Sequence, residues 1–337
     1  WTLSRGLGDV YKRQAIKQGA YDFIEKPFNI EQLLVVVRRA MEASRLRQEN
    51  FELKRKDTPL SVMVGDSNIF KNFISNLDKV TKTQGRILLT GESGSGKEMA
   101  ARYIHANSER ASKPFISVNC ASIAPDRMED VLFGRDAGNS LPTDGLLSQA
   151  DGGVIYFDEI ADMPLVTQSK ILRVLVDQKF QRVNGKSEVK VDLRVISSTS
   201  QDLREAIKQK SFREELYHRL NVVPINVPSL SQRLEDIPLL FDHFAKNFHE
   251  TQGLNLRELS IEASTMLQTM SWPGNIRQLK NIVERVLILG DGHGEVSIED
   301  LPSDTKSGDD NVNGVASGTI ATMPVSYTHL TLPTNCV

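Results

Sequence analysis

Seven residues constrain this chain more than any others. Gly91-Glu92-Ser93-Gly94-Ser95-Gly96-Lys97 sits between the apolar run "RILL" and the helix-forming run "EMAARYIHANSER". A glycine-rich turn between a strand and a helix can aim several backbone N–H groups at one anion, because glycine takes positive φ without steric cost. The helix adds its positive end to the same point. Lys97 adds a point charge suited to β- and γ-phosphates. Glu98 follows, where Ser or Thr commonly holds magnesium.

The chain has 337 residues, enough for two or three domains with a sizeable core. Its 41 basic and 43 acidic residues give no global positive field that would draw it onto DNA. Two cysteines, Cys120 and Cys336, offer neither a disulfide framework nor zinc-ligand spacing. No apolar run reaches the roughly 18 residues of a membrane span, and no secretory signal is visible. The expectation is a protein of the reducing cytoplasm with no membrane partner.

The order of segments divides the chain. Residues 1–14 and 324–337 read as non-native sequence of the adapter type and stand outside the fold. Residues 15–44 read helix, strand, turn, helix, with the strand "YDFIEKPF" ending at Lys26-Pro27. Residues 45–60 continue as a helical linker. From 61 to 231 apolar strand-like runs ("GRILLT", "FISVNC", "GGVIYFDE", "DLRVISST") alternate with helical ones. That alternation predicts α/β architecture, a parallel sheet covered by helices on both faces. Residues 232–301 carry helical segments only and predict a small helical domain. Residues 302–323 are polar and read as a flexible linker.

A second site lies in "GGVIYFDEI". Val154 to Phe157 make a buried strand that ends in Asp158-Glu159, and ligands of open α/β sheets bind at the carboxyl ends of strands. Asp158 is placed to orient Mg2+, and Glu159 to polarise an attacking water as general base.

Four separated stretches, "TGESGSGKE", "GGVIYFDEIADMP", "FREELYHRLNVVPI" and "WPGNIRQLKN", resemble the AAA+ P-loop ATPase domain of bacterial enhancer-binding transcription activators, which work with sigma-54. In that family the phosphate loop commonly ends Gly-Lys-Glu, so Glu98 is a family mark and the metal is held by other groups. The strand–Lys–Pro–Phe–helix run in "QGAYDFIEKPFN" resembles the last third of a flavodoxin-like response-regulator receiver, with Lys26 matching the phosphoryl-contacting lysine and Phe23 the aromatic switch. The combination resembles the nitrogen-regulation members of the family. It implies ATP and Mg2+ as cofactors and a homo-oligomeric ring of hexamer type. A sensor histidine kinase is implied upstream, and DNA contact through a C-terminal helix-turn-helix that this sequence does not contain.

The resemblance also assigns roles. Gly91 to Glu98 match the phosphate loop, and Val64 and Gly65 the stretch beside adenine. Asn119 matches the asparagine that holds the catalytic glutamate until a neighbour engages. Arg213 and Arg219 match arginine fingers that reach the next subunit's site, where a guanidinium offsets charge on the transferred phosphoryl group. Arg277 matches the lid arginine that senses the γ-phosphate. Ser200 stands where the family usually has a γ-phosphate-sensing Asn; serine is shorter and has one donor.

A larger departure concerns the output. Family members carry "GAFTGA" between "LFG" and "DGG"; here residues 135–150 read "RDAGNSLPTDGLLSQA", without an aromatic. A loop tip of this composition supplies little contact area, so the basis for a sigma-54 contact is missing. Two readings stay open: an ATP-hydrolysing ring regulator, and a regulator that uses ATP for oligomerisation and DNA occupancy without significant turnover.

Overall fold

The computed structural model describes residues 63–136, 143–290 and 294–301, with Met41 alone upstream. The receiver-like segment with Phe23 and Lys26, the helical linker, residues 137–142 of the shortened interval, and the runs 1–14 and 302–337 lie outside the described residues.

Five strands make one parallel sheet: β1 (Ile87–Thr90), β2 (Phe115–Asn119), β3 (Val154–Asp158), β4 (Arg194–Thr199) and β5 (Val223–Asn226). Their spatial order is β2-β3-β4-β1-β5. Alternation of side chains along each strand feeds two cores. Leu88, Ile155, Phe157 and Val195 face α3 (Leu165–Asp177) and α4 (Glu214–Leu220). Ile87, Leu89, Val154, Tyr156 and Ile196 face α1 (Asn68–Thr81) and α2 (Lys97–Ala106). A fully buried Leu, Ile or Phe contributes about 1.5–3 kcal/mol, so both faces of the sheet are strongly specified. Arg194 is buried between the layers, and its Nη2 donates to the Val80 carbonyl at 2.7 Å, satisfying the C-terminal end of α1.

The four strands expected from the sequence are present. The fifth, β5, is an addition: it contains Pro224, and it forms an edge of the sheet, where a missing N–H is tolerated. The pair Lys179–Gln181 and Glu188–Lys190 forms an antiparallel hairpin beside the main sheet.

A separate helical unit follows. It consists of α5 (Ile237–Gln252), α6 (Ile261–Thr269) and α7 (Asn275–Leu289) around Phe241, Phe248, Leu267, Trp272, Leu279 and Val283. Two buried tethers tie it to the α/β unit. Asp236 Oδ1 accepts from the Asp66 and Ser67 N–H groups at 2.7 and 2.8 Å, and its Oδ2 accepts from Ser67 Oγ at 2.8 Å. The second tether runs through Asn275, at the mouth of the glycine turn.

Candidate active site

The glycine turn leaves β1 at Thr90 and enters α2 at Lys97. Gly94 and Gly96 have φ of +77° and +102°, values that side chains rarely allow. A Cβ on Gly94 would lie 2.3 Å from the Gly274 carbonyl oxygen, so only glycine permits the helical unit to approach this closely. Lys97 is 5% exposed, and its Nζ donates to the carbonyls of Gly91 and Glu92 at 3.0 and 3.2 Å. The same nitrogen lies 3.2 Å from Glu159 Oε1. Ser95 Oγ is buried inside the turn and has no hydrogen-bond partner among the described residues. A buried hydroxyl without a partner among the described residues, in a glycine turn at a helix N-terminus, suits a ligand with acceptor oxygens.

β3 and β4 bring the acids to this point. Glu159 follows β3 in the left-handed region, φ +50°, which turns its carboxylate across the sheet edge. Its Oε2 accepts from both the N–H and the hydroxyl of Ser200, each at 2.8 Å. Both carboxylate oxygens of Glu159 are therefore held, one by Lys97 and one by Ser200. Thr199 hydrogen-bonds within its own turn to Gln201. Asp158 uses Oδ1 to accept from Ser198 Oγ at 2.6 Å, with Tyr156 Oη at 2.9 Å.

Asn119 lies directly across from Asp158 in the β2–β3 register. Its Oδ1 caps the short helical turn at Cys120–Ser122, accepting from the N–H groups of Ala121 and Ser122 at 3.0 and 3.2 Å. The hydrogen bonds on Glu159 come from Ser200, not from Asn119. Glu98 pairs with Arg102 one turn along α2, at 2.7 Å. Among the described residues no group of three or more His, Cys, Asp or Glu could hold a metal ion. A cation here would be held by Asp158 together with phosphate oxygens and water, the usual situation for magnesium; Asp158 Oδ2 accepts no hydrogen bond from a described residue and fits that use. Cys120, beside these acids, is no candidate nucleophile. Burial, with Asp158, Asp162 and Glu159 nearby, pushes its thiol up to about 12.

The helical unit closes the other side. Arg277 Nη1 donates to Ser93 Oγ at 3.3 Å, and the Ile276 N–H donates to the Gly94 carbonyl at 3.0 Å. Asn275 is the residue the sequence reading missed. It is fully buried, with φ +50°, and its amide nitrogen donates to Glu92 Oε2 at 2.9 Å and the Ser93 carbonyl at 3.1 Å. Its Oδ1 accepts from the Leu230 N–H at 2.7 Å. The available signal was Pro-Gly-Asn immediately before a periodic helix, a place for a left-handed residue. Val64 packs on the helical unit's core, and a Cβ on Gly65 would lie 2.6 Å from the Phe70 ring.

Arg213 and Arg219 are exposed at the two ends of α4. Arg213 Nε donates to the Leu165 carbonyl at 3.2 Å, while its N–H is fixed by buried Gln168 at 2.9 Å. Arg219 makes no hydrogen bond or ion pair among the described residues, and it lies close enough to Arg86 to lower that guanidinium's pKa, behind the larger effect of burial. Neither arginine contacts the glycine turn or the acidic pair of its own chain.

Residues 63–226 match the Sigma-54 interaction domain and residues 231–317 the AAA+ ATPase lid domain. The nitrogen assimilation regulatory protein NtrX of Azorhizobium caulinodans is 50% identical over 86% of this chain and 64% of its own length. The regulatory protein AtoC of Escherichia coli is 36% identical over 94% of this chain and 69% of its own length. This chain belongs to the NtrC family of AAA+ response regulators. A solved structure of the family, NtrX from Brucella abortus in complex with ADP, superposes with a TM-score of 0.71 at 47% identity, covering 89% of this chain and 68% of that one. The same protein in complex with ATP gives 0.70 at 48% identity, over 87% and 64%. The five-stranded parallel sheet with its helical lid is thus the AAA+ fold of the NtrC family. The chain spans 64% and 58% of the length of two NtrX-type relatives, the second from Rickettsia typhi. Among the described residues no helix is long and apolar enough to cross a membrane.

Proposed function

We propose that this chain binds ATP at the glycine turn and hydrolyses it across the interface of a homo-oligomeric ring, as the motor of a two-component transcription regulator. The observation that carries this reading is the meeting of Lys97 and Glu159 at 3.2 Å under a turn whose buried Ser95 Oγ has no partner among the described residues. The ATP and ADP complexes of the Brucella relative support it.

Each residue has a task in this scheme. Lys97 gives up the carbonyls of Gly91 and Glu92 for phosphate oxygens, and in doing so releases Glu159 Oε1. Ser200 keeps Oε2 fixed, so the freed oxygen has one direction in which to accept a proton from water. The water oxygen bonds to the terminal phosphorus as the bridging oxygen leaves on ADP, and inorganic phosphate is the second product. Mg2+, where bound at Asp158, neutralises phosphate charge. Arg213 and Arg219 of a neighbouring copy stabilise the charge that develops on the transferred group. Asn275 and Arg277 couple the lid to the turn, so lid position follows the occupancy of the site.

Regulation by a sensor kinase and DNA contact through a C-terminal domain are properties proposed for the longer protein. Sigma-54 contact is proposed to be weakened or lost, because residues 135–150 lack the aromatic-bearing motif of the family. A second reading, nucleotide-set oligomerisation without turnover, is favoured by one observation: both oxygens of Glu159 are engaged by Lys97 and Ser200. Calorimetric titration with ATP tests the common part. The full chain should bind ATP and Lys97→Ala should lose most of that affinity; equal affinity in the two proteins would rule out the site.

A further inference from the structure

Asp158 is held from behind by two hydroxyls that no step above uses. Tyr156 is two residues earlier on β3, so its side chain lies on the same face as Asp158. Its ring is fully buried and stacks against Phe115, with centroids 6.1 Å apart and planes 20° from parallel. Ser198, on the adjoining β4, is one residue past the last Phe157–Ser197 pairing and stands beside Asp158. Three oxygens then converge: Tyr156 Oη to Asp158 Oδ1 at 2.9 Å, Ser198 Oγ to the same Oδ1 at 2.6 Å, and Tyr156 Oη to Ser198 Oγ at 2.8 Å. Both hydroxyl-bearing residues are 0% exposed.

We propose that Tyr156 and Ser198 are positioning residues that commit Asp158 Oδ1 to the protein and leave Oδ2 as the one oxygen offered to a divalent cation. Three features of the geometry carry this. A carboxylate at a strand end rotates freely unless one oxygen is tied, and here two buried, mutually bonded hydroxyls converge on the same oxygen, with the single Tyr156 proton shared between Asp158 and Ser198. Among the described residues the two hydroxyls bond only to each other and to Asp158 Oδ1, so the pair is dedicated to Asp158. The donors sit on two different strands, so the orientation of Asp158 is set by the β3–β4 pairing itself. Outer hydrogen bonds of this kind fix the ligand's orientation and tune metal affinity.

The inference rests on the nucleotide-site reading, and the test separates the two. ADP affinity of the full chain is measured by calorimetry across a magnesium series and in EDTA, for the natural sequence, Tyr156→Phe, Ser198→Ala and the double variant. The expected result is unchanged affinity in EDTA, with the half-saturating magnesium concentration raised about 10-fold in the double variant and less in each single one. A merely structural role would lower the melting temperature and leave the magnesium series where it was. Identical magnesium curves in all four proteins overturn the proposal while leaving the nucleotide site standing. Failure of the unsubstituted chain to bind ADP at all overturns both.

Discussion

The two functional regions of this molecule are built to different degrees. Around the glycine turn, the charged groups and most polar ones are tied down, Ser95 Oγ excepted. Lys97 has three partners, Glu159 has both oxygens engaged, and Asn275 is buried across the lid boundary. At α4 the two arginines are exposed, and Arg219 has no hydrogen-bonded or ionic partner among the described residues. Fixing a guanidinium at a surface gives little stability, so a free one is no defect of the fold. The contrast fits the proposed division, in which one copy assembles the binding half of a site and presents the other half outward. On the proposed reading, a neighbour's α4 supplies the complement.

Removing the outward half should have the largest effect. Arg219→Ala is expected to cut ATP turnover about 1,000-fold with nucleotide affinity retained. Mixing it with Glu159→Gln, itself inactive, should restore part of the activity, because a mixed interface can pair an intact arginine with an intact acid. Mixtures no faster than their components would break the comparison.

Asn275→Ala sharpens the other side. It strands the buried Leu230 N–H and removes the donor from Glu92, so a loss of about 1–3 kcal/mol in unfolding free energy is expected by denaturant titration. Nucleotide affinity should fall with it, since the lid loses its hold on the turn. Ser200→Ala should have the smallest effect, a several-fold fall in kcat at nearly constant KM, because the Ser200 N–H still holds Glu159. A raised KM with unchanged kcat would instead make Ser200 a phosphate sensor, the role its position in the sequence suggested. Asn119→Ala, measured alongside, compares the two candidate holders of Glu159.

Much of the fold was legible because its signals are local. Strand, glycine turn and helix follow one another from Arg86 to Ala106, and Val154 to Phe157 is an uninterrupted apolar run closed by two acids. What escaped depends on partners far apart in sequence. β5 contains a proline that argues against a strand until its edge position is known. The hold of Ser200 on Glu159 spans 41 residues and the Asn275–Glu92 contact 183, and neither has a periodic trace. The hydroxyls of Tyr156 and Ser198 read as ordinary strand residues until the register between β3 and β4 sets them on Asp158.

The most direct measurement is the rate of phosphate release per protomer from saturating ATP, followed over a dilution series with sedimentation run in parallel. A site completed by a neighbour's arginines should give a rate per protomer that rises steeply with concentration and tracks the oligomer fraction. A rate that stays constant down to concentrations where sedimentation finds only monomers would contradict the shared site, and with it the role given to α4.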